Sequence, residues 1–116
     1  MSIEWIRRYC LSLPHATEEV QWENHLLFKI GGKMFAITSL EPSEVALSLK
    51  CTPEEFGGLS DLPGLMPARY LARAQWISLE REDALPAAEV KRLLRQSYDL
   101  VFAKLTRKAR AALSSR

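Results

Sequence analysis

His25-Leu-Leu-Phe-Lys-Ile-Gly-Gly-Lys-Met-Phe-Ala-Ile-Thr-Ser-Leu40 is the stretch that decides how this chain folds. Two runs of apolar, β-branched and aromatic residues flank Gly31-Gly32, and a Gly-Gly connection supplies the positive φ values of a primed hairpin turn. With a period of two, Leu26, Phe28 and Ile30 share one face of the first strand, and Leu27 and Lys29 share the other. No other segment joins two strands so directly, which puts this hairpin at the centre of a sheet.

Upstream, Ser2 is placed to cap a helix, with Glu4 in its positive first turn. Trp5, Ile6, Tyr9, Cys10 and Leu13 recur at helical spacing, and Pro14 stops the run. Residues 17–22 read as an edge strand with Val20 and Trp22 on one face and Glu19 and Gln21 on the other; Glu23-Asn24 then turns into the hairpin. Downstream, 44–50 alternates, with Val45, Leu47 and Leu49 opposed to Ala46, Ser48 and Lys50. Thr52-Pro53-Glu54-Glu55 starts a short helix that Gly57-Gly58 should end. A Pro- and Gly-rich loop over 61–67 precedes a last strand over 75–80, with Ile77 and Leu79 inward. Pro86 opens a long helix whose buried stripe is Val90, Leu93, Leu94, Ser97, Val101 and Leu105, broadened by Tyr98 and Phe102.

This order predicts an α+β two-layer sandwich: an antiparallel sheet with the N- and C-terminal helices on one face and the other face at least partly open. At 116 residues and 47% hydrophobic content the chain reads as a single domain, 1–116, with 106–116 a basic tail able to fray. No apolar run is long enough for a membrane span, and the N-terminal charges do not follow a signal-peptide pattern. Cys10 and Cys51 form no Cys-x-x-Cys motif, a usage that suits a reducing cytoplasm.

Charge is unevenly spread. From Pro86 onward eight bases face only Glu89 and Asp99, a net +6, while the preceding 85 residues hold eight bases and twelve acids, a net −4. Such polarity suits either an acidic partner or a solvated helix face with a basic end. His15 and His25 lack partners at metal-ligand spacing, so no metal site is expected. Gly31-Gly32-Lys33 joins strand to strand and lacks the spacing of a phosphate loop. Glu18 and Glu19 would point to opposite faces, and no serine or histidine sits in a nucleophile-elbow context. Neither catalysis nor a cofactor is expected.

The segment Ala68-Arg-Tyr-Leu-Ala-Arg-Ala-Gln-Trp76 interleaves basic and aromatic residues at the edge of a strand. Alternation sends Trp76 to the side opposite Ile77 and Leu79, where it would stack on bases while Arg69 and Arg73 hold phosphate, or else pack beneath a loop. The candidate nucleic-acid-binding residues are Lys29, Lys33, Lys50, Arg69, Tyr70, Arg73 and Trp76. A protein-interaction or small-ligand module using the open sheet face is the alternative.

Leu13-Pro14 with 16–19, the run Phe28-Lys29-Ile30-Gly31-Gly32-Lys33-Met34-Phe35-Ala36, and 47–51 with Pro53-Glu54 form a recognisable series. Together with the Tyr70…Trp76 spacing, 97–101 and 103–105, they make nearly the whole chain resemble the MmcQ/YjbR family of small bacterial proteins. That resemblance implies a CyaY-like (frataxin-like) sandwich and a DNA-binding module with a "double-wing" motif. Many members carry Asn-Lys before the Trp, where this chain has Ala72-Arg73, keeping the charge and losing an amide able to read a base. Frataxins also suggest iron, which needs several oxygen ligands; here the first helix sets a single Glu4 against Arg7 and Arg8, so iron is rejected.

Overall fold

The computed structural model describes residues 3–41 and 43–114. Six strands form one antiparallel sheet in the order β1-β2-β3-β4-β6-β5: β1 Thr17–Gln21, β2 His25–Ile30, β3 Lys33–Ser39, β4 Leu47–Lys50, β5 Leu65–Pro67 and β6 Trp76–Leu79. The helices are α1 Glu4–Ser12, α2 Pro53–Ser60, α3 Ala87–Ala103 and α4 Arg107–Ser114. The α+β sandwich expected from the sequence is the observed fold, and the Gly31-Gly32 hairpin lies inside the sheet. Gly31 and Gly32 have φ of +60° and +82°, as a primed turn requires. A Cβ on Gly31 would also come within 2.7 Å of the Leu105 side chain, so the turn packs closely against the chain beyond α3.

The helix-side core collects Leu26, Phe28 and Ile30 of β2, Leu47 and Leu49 of β4, and Ile77 and Leu79 of β6. Val90, Leu93 and Leu94 of α3 close over them, all 0% exposed. α1 adds Ile6 and Cys10 to the same core. Its expected cap, Ser2, lies outside the described residues. Thr52 does cap α2, its hydroxyl accepting from the Glu55 N–H at 3.2 Å with Pro53 in the first turn.

Four expectations are corrected. α2 continues through Gly57 and Gly58 to Ser60, because the chain there stays packed on β5 and β6 through buried Leu59. The loop read over 61–67 ends in β5, which pairs Leu65 with Leu79 and Pro67 with Ile77. An edge strand tolerates a proline, which can lack a ladder donor. The long helix stops at Ala103, and buried Leu105 lies beyond its end. The segment expected to fray forms α4, held by buried Leu113 and by the Arg110 guanidinium donating to the carbonyls of Ala103 and Leu105.

One irregularity sets the shape of the sheet. Phe28 pairs with Ala36 but Lys29 pairs with Met34, so Phe35 is an extra residue, a β-bulge. Phe35 and Ala36 therefore both enter the helix-side core, where the Phe35 ring meets Tyr98 edge-on at 5.4 Å. The β3–β4 ladder ends at Ala36–Leu49. Beyond it the fully buried Ser97 hydroxyl of α3 stands between the strands, donating to the Phe35 carbonyl at 2.6 Å and accepting from the Lys50 N–H at 3.0 Å. Replacing Ser97 by Ala would strand both backbone groups in the core. Urea melts of Ser97→Ala should show a loss of about 1–3 kcal/mol, larger than expected for deleting one oxygen from an exposed helix position.

Candidate functional site

Ile37, Ser48 and Ser78 stand in one row across β3, β4 and β6, on the face turned away from the helices. Leu27, paired with Ile37, and Trp76, paired with Lys50, share that face. Residues 68–75 fold back over it, laying Ala68 and Leu71 on Leu27, Ile37 and Trp76 as a second small core. The loop is closed by its backbone: the Ala68 N–H donates to the Trp76 carbonyl at 3.0 Å, and the Trp76 N–H to the Leu71 carbonyl at 3.3 Å. A short 3-10 turn at Ala72–Ala74 carries the chain into β6.

Trp76 lies opposite Ile77 and Leu79, as alternation predicts, but it is only 4% exposed. It cannot serve as an open stacking platform. A large indole within reach of a loop gains more from burial than from standing in water, and the loop supplies that cover.

Beside this small core the second face holds a cavity of about 550 Å³. Its floor is the row Ile37, Ser48 and Ser78. Ser39, Ser43 and Val45, from the end of β3 and the connection to β4, form one side, and residues 68–71 form another. Met34 reaches the cavity because the bulge at Phe35 restores it to the same face as Ile37; strict alternation would have parted them. The Ser48 and Ser78 hydroxyls lie 2.8 Å apart. A hydroxyl pair uses one proton in its mutual hydrogen bond, which leaves the other available to a ligand at the floor.

Two exposed rings border the cavity. Trp22 is 58% exposed and Tyr70 94% exposed. Both are left-handed, with φ of +53° and +68°, and Glu23 beside Trp22 has φ of +67°. The left-handed conformation costs an L-residue about 1–2 kcal/mol, and strain of this kind gathers at functional sites. For Trp22 it also corrects the expected strand: β1 ends at Gln21, and the turn redirects the indole away from Val20 to the cavity. There it meets His25 edge-on at 5.9 Å. The His25 Nδ1 is buried without a hydrogen-bond partner.

The structure gathers only part of the basic set. Arg69 and Arg73 are exposed on the loop covering the second face, and no side-chain partner engages either among the described residues. Lys33 is exposed at the hairpin tip. Lys29 is paired with Glu19 at 2.9 Å, and its hydrogen bond, followed by one from Gln21, holds the Glu19 carboxyl below the usual range. Lys50 donates to the Ala74 carbonyl at 2.7 Å, and burial followed by the charge of Lys104 pushes it below the ordinary lysine range. Both lysines are therefore committed to holding the fold.

Part of the C-terminal charge is likewise engaged on the helix side. Arg92 pairs with Glu55 at 3.0 Å and with Glu89 at 2.7 Å, and Arg95 pairs with Asp99 at 3.1 Å. Cys10 and Cys51 are free and buried. Burial pushes the Cys10 thiol up to about 12 and also raises Cys51, so neither is poised as a thiolate nucleophile. Among the described residues, no group of three or more His, Cys, Asp or Glu side chains is placed to hold a metal ion, and no helix is long and apolar enough to cross a membrane.

Sequence reasoning missed Trp22, His25, Ser48 and Ser78 as site residues. Alternation did place Ser48 on the second face; it could not show that a loop would return to make that face a cavity.

The YjbR family model matches residues 11–100. The Escherichia coli K12 protein YjbR is 28% identical over 105 residues, spanning 84% of this chain and 85% of that protein. The crystal structure of the Deinococcus radiodurans protein DR2400, described as a DUF419 domain, superposes with a TM-score of 0.85 at 30% identity over 97% of this chain and 88% of its own. A Pseudomonas syringae protein shares the fold, with a TM-score of 0.72 at 23% identity over 86% of this chain and 98% of its own.

Strain at the cavity mouth is directly measurable. Tyr70→Gly removes an exposed ring and relieves the left-handed backbone, so stability should hold or rise by up to about 1 kcal/mol despite the added freedom of the unfolded chain. Chemical denaturation checks this; a clear loss of stability would mean that Tyr70 is a structural residue.

Proposed function

The chain belongs to the YjbR family, and from that premise we propose that it is a non-catalytic binding module that takes a small organic ligand in the cavity on the second face of its sheet. One observation carries this reading: a cavity of about 550 Å³, within the range typical of small-molecule sites, is bordered by two exposed aromatic rings held in strained backbone. Ile37, Met34, Leu71 and Val45 offer apolar contact, and the Ser48–Ser78 pair offers a directional polar group at the floor. Such a mixture suits a compact, largely apolar ligand with one or two polar atoms.

The half-buried Val45 can be enlarged to fill the space without touching the helix-side core. Aromatic fragments should raise the thermal midpoint of the wild type and shift the resonances of Trp22, Met34 and Tyr70, and Val45→Trp should abolish both effects. Fragments that leave those resonances unmoved in the wild type would refute the reading.

A second reading, a nucleic-acid-binding module, is favoured by the exposed Arg69 and Arg73, which no side chain engages among the described residues, on the same loop as Tyr70. With Trp76 buried, Tyr70 is the ring left to stack on a base, at about 1–3 kcal/mol. If the two arginines contact phosphates, Arg69→Ala with Arg73→Ala should weaken binding to all oligonucleotides alike and flatten the salt dependence by about two units or slightly less. Wild-type protein that binds no oligonucleotide at low ionic strength would end this second reading.

A further inference from the structure

We infer that the ligand of this cavity is a small carboxylic acid with a flat apolar body, its carboxylate held by Arg69. The inference rests on the small-ligand reading above and adds to it the ligand's charge and shape.

Charge comes first. Among the described residues Arg69 is the one lining the cavity with a fixed charge, and it lies on the loop that forms one side. Most other arginines near carboxylates are spent in the fold: Arg7 holds Glu18, Arg81 holds Asp83, Arg92 holds Glu55 and Glu89, and Arg95 holds Asp99. Arg69 has no such partner among the described residues, and no acidic side chain lines the cavity. A guanidinium presents two parallel donors that match a carboxylate, so a single planar anion satisfies it. A phosphate dianion would ask for more positive charge than this one group gives, and Lys50, a strand lysine on this face, is turned to the Ala74 carbonyl.

Shape follows from the walls. Trp22 and Tyr70 put two aromatic rings at the border, and Ile37 and Met34 offer apolar surface within. A flat ring system can face the aromatic rings by offset or edge contact while its far edge meets the spare Ser48–Ser78 proton.

Three probes sharing one ring body test this: naphthoate, naphthamide and naphthyl phosphate, titrated into the full chain at low ionic strength and followed by nuclear magnetic resonance. Naphthoate should shift the Trp22 indole and Met34 methyl signals and bind about tenfold or more tighter than naphthamide, since the guanidinium meets a carboxylate of opposite charge through two parallel bonds and an uncharged amide through one carbonyl oxygen. The exposed substitution Arg69→Gln should remove this preference, costing naphthoate far more affinity than it costs the amide. Equal affinity of naphthoate and naphthamide, retention of the preference in Arg69→Gln, or tighter binding of the phosphate would each overturn this inference and leave the cavity reading standing. Cavity resonances that respond to none of the three probes would overturn both.

Discussion

Everything on both faces of this sheet depends on the bulge at Phe35 and on the Ser97 hydroxyl that secures it. A bulge leaves ladder groups without partners, and a bare carbonyl in a core is costly. Ser97 converts that cost into a fastening. Its oxygen takes the Lys50 N–H and its proton goes to the Phe35 carbonyl, so α3 is hydrogen-bonded to β3 and β4 together. On the helix side this admits two successive residues, Phe35 and Ala36, to the core. On the other side it returns Met34 to the face of Ile37, and so helps shape the cavity.

The two faces are built on different physical terms. The helix side is a dense apolar core, in which α1 and α3 cover the central strands and Tyr98 donates its hydroxyl to the Pro14 carbonyl at 2.6 Å. Removing such side chains would leave voids into which the surroundings relax only in part. The second face has a small core of Leu27, Ile37, Ala68 and Trp76 under one loop, and beside it a space that no side chain fills. A chain selected for stability alone would be expected to close that space and to put glycine at positions 22 and 70. Trp22 and Tyr70 instead carry backbone strain while their rings stay largely exposed, a pattern found at functional sites more often than in packed cores.

Charge follows the same division. Part of the C-terminal charge is engaged in the helix layer, through the pairs of Arg92 and Arg95, the Arg110 bonds to carbonyls, and Lys91 lying 5.9 Å from the Tyr9 ring, while Lys104, Arg107 and Lys108 stay exposed. Arg69 and Arg73 on the second face, which no side chain engages among the described residues, belong to a segment whose local composition was the clearest functional signal in the chain.

Local chemistry was legible without coordinates wherever one covalent neighbourhood settles the outcome. Gly31-Gly32 can turn a hairpin because both lack a Cβ, Thr52-Pro53 can start a helix because a hydroxyl caps it, and the apolar stripe of α3 follows from a repeat of 3.6. Alternation likewise assigned Trp76 and Ser48 to the second face. Tertiary structure alone decided whether that face met water. Burial of Trp76 needs residues 68–75 to return over it, β5 needs β6 as a template, α4 needs a place for Leu113, and Trp22 needs a strained turn to swing to the cavity. Each of these joins residues far apart in the chain, and no periodicity within a single segment carries the free energy of a contact with another.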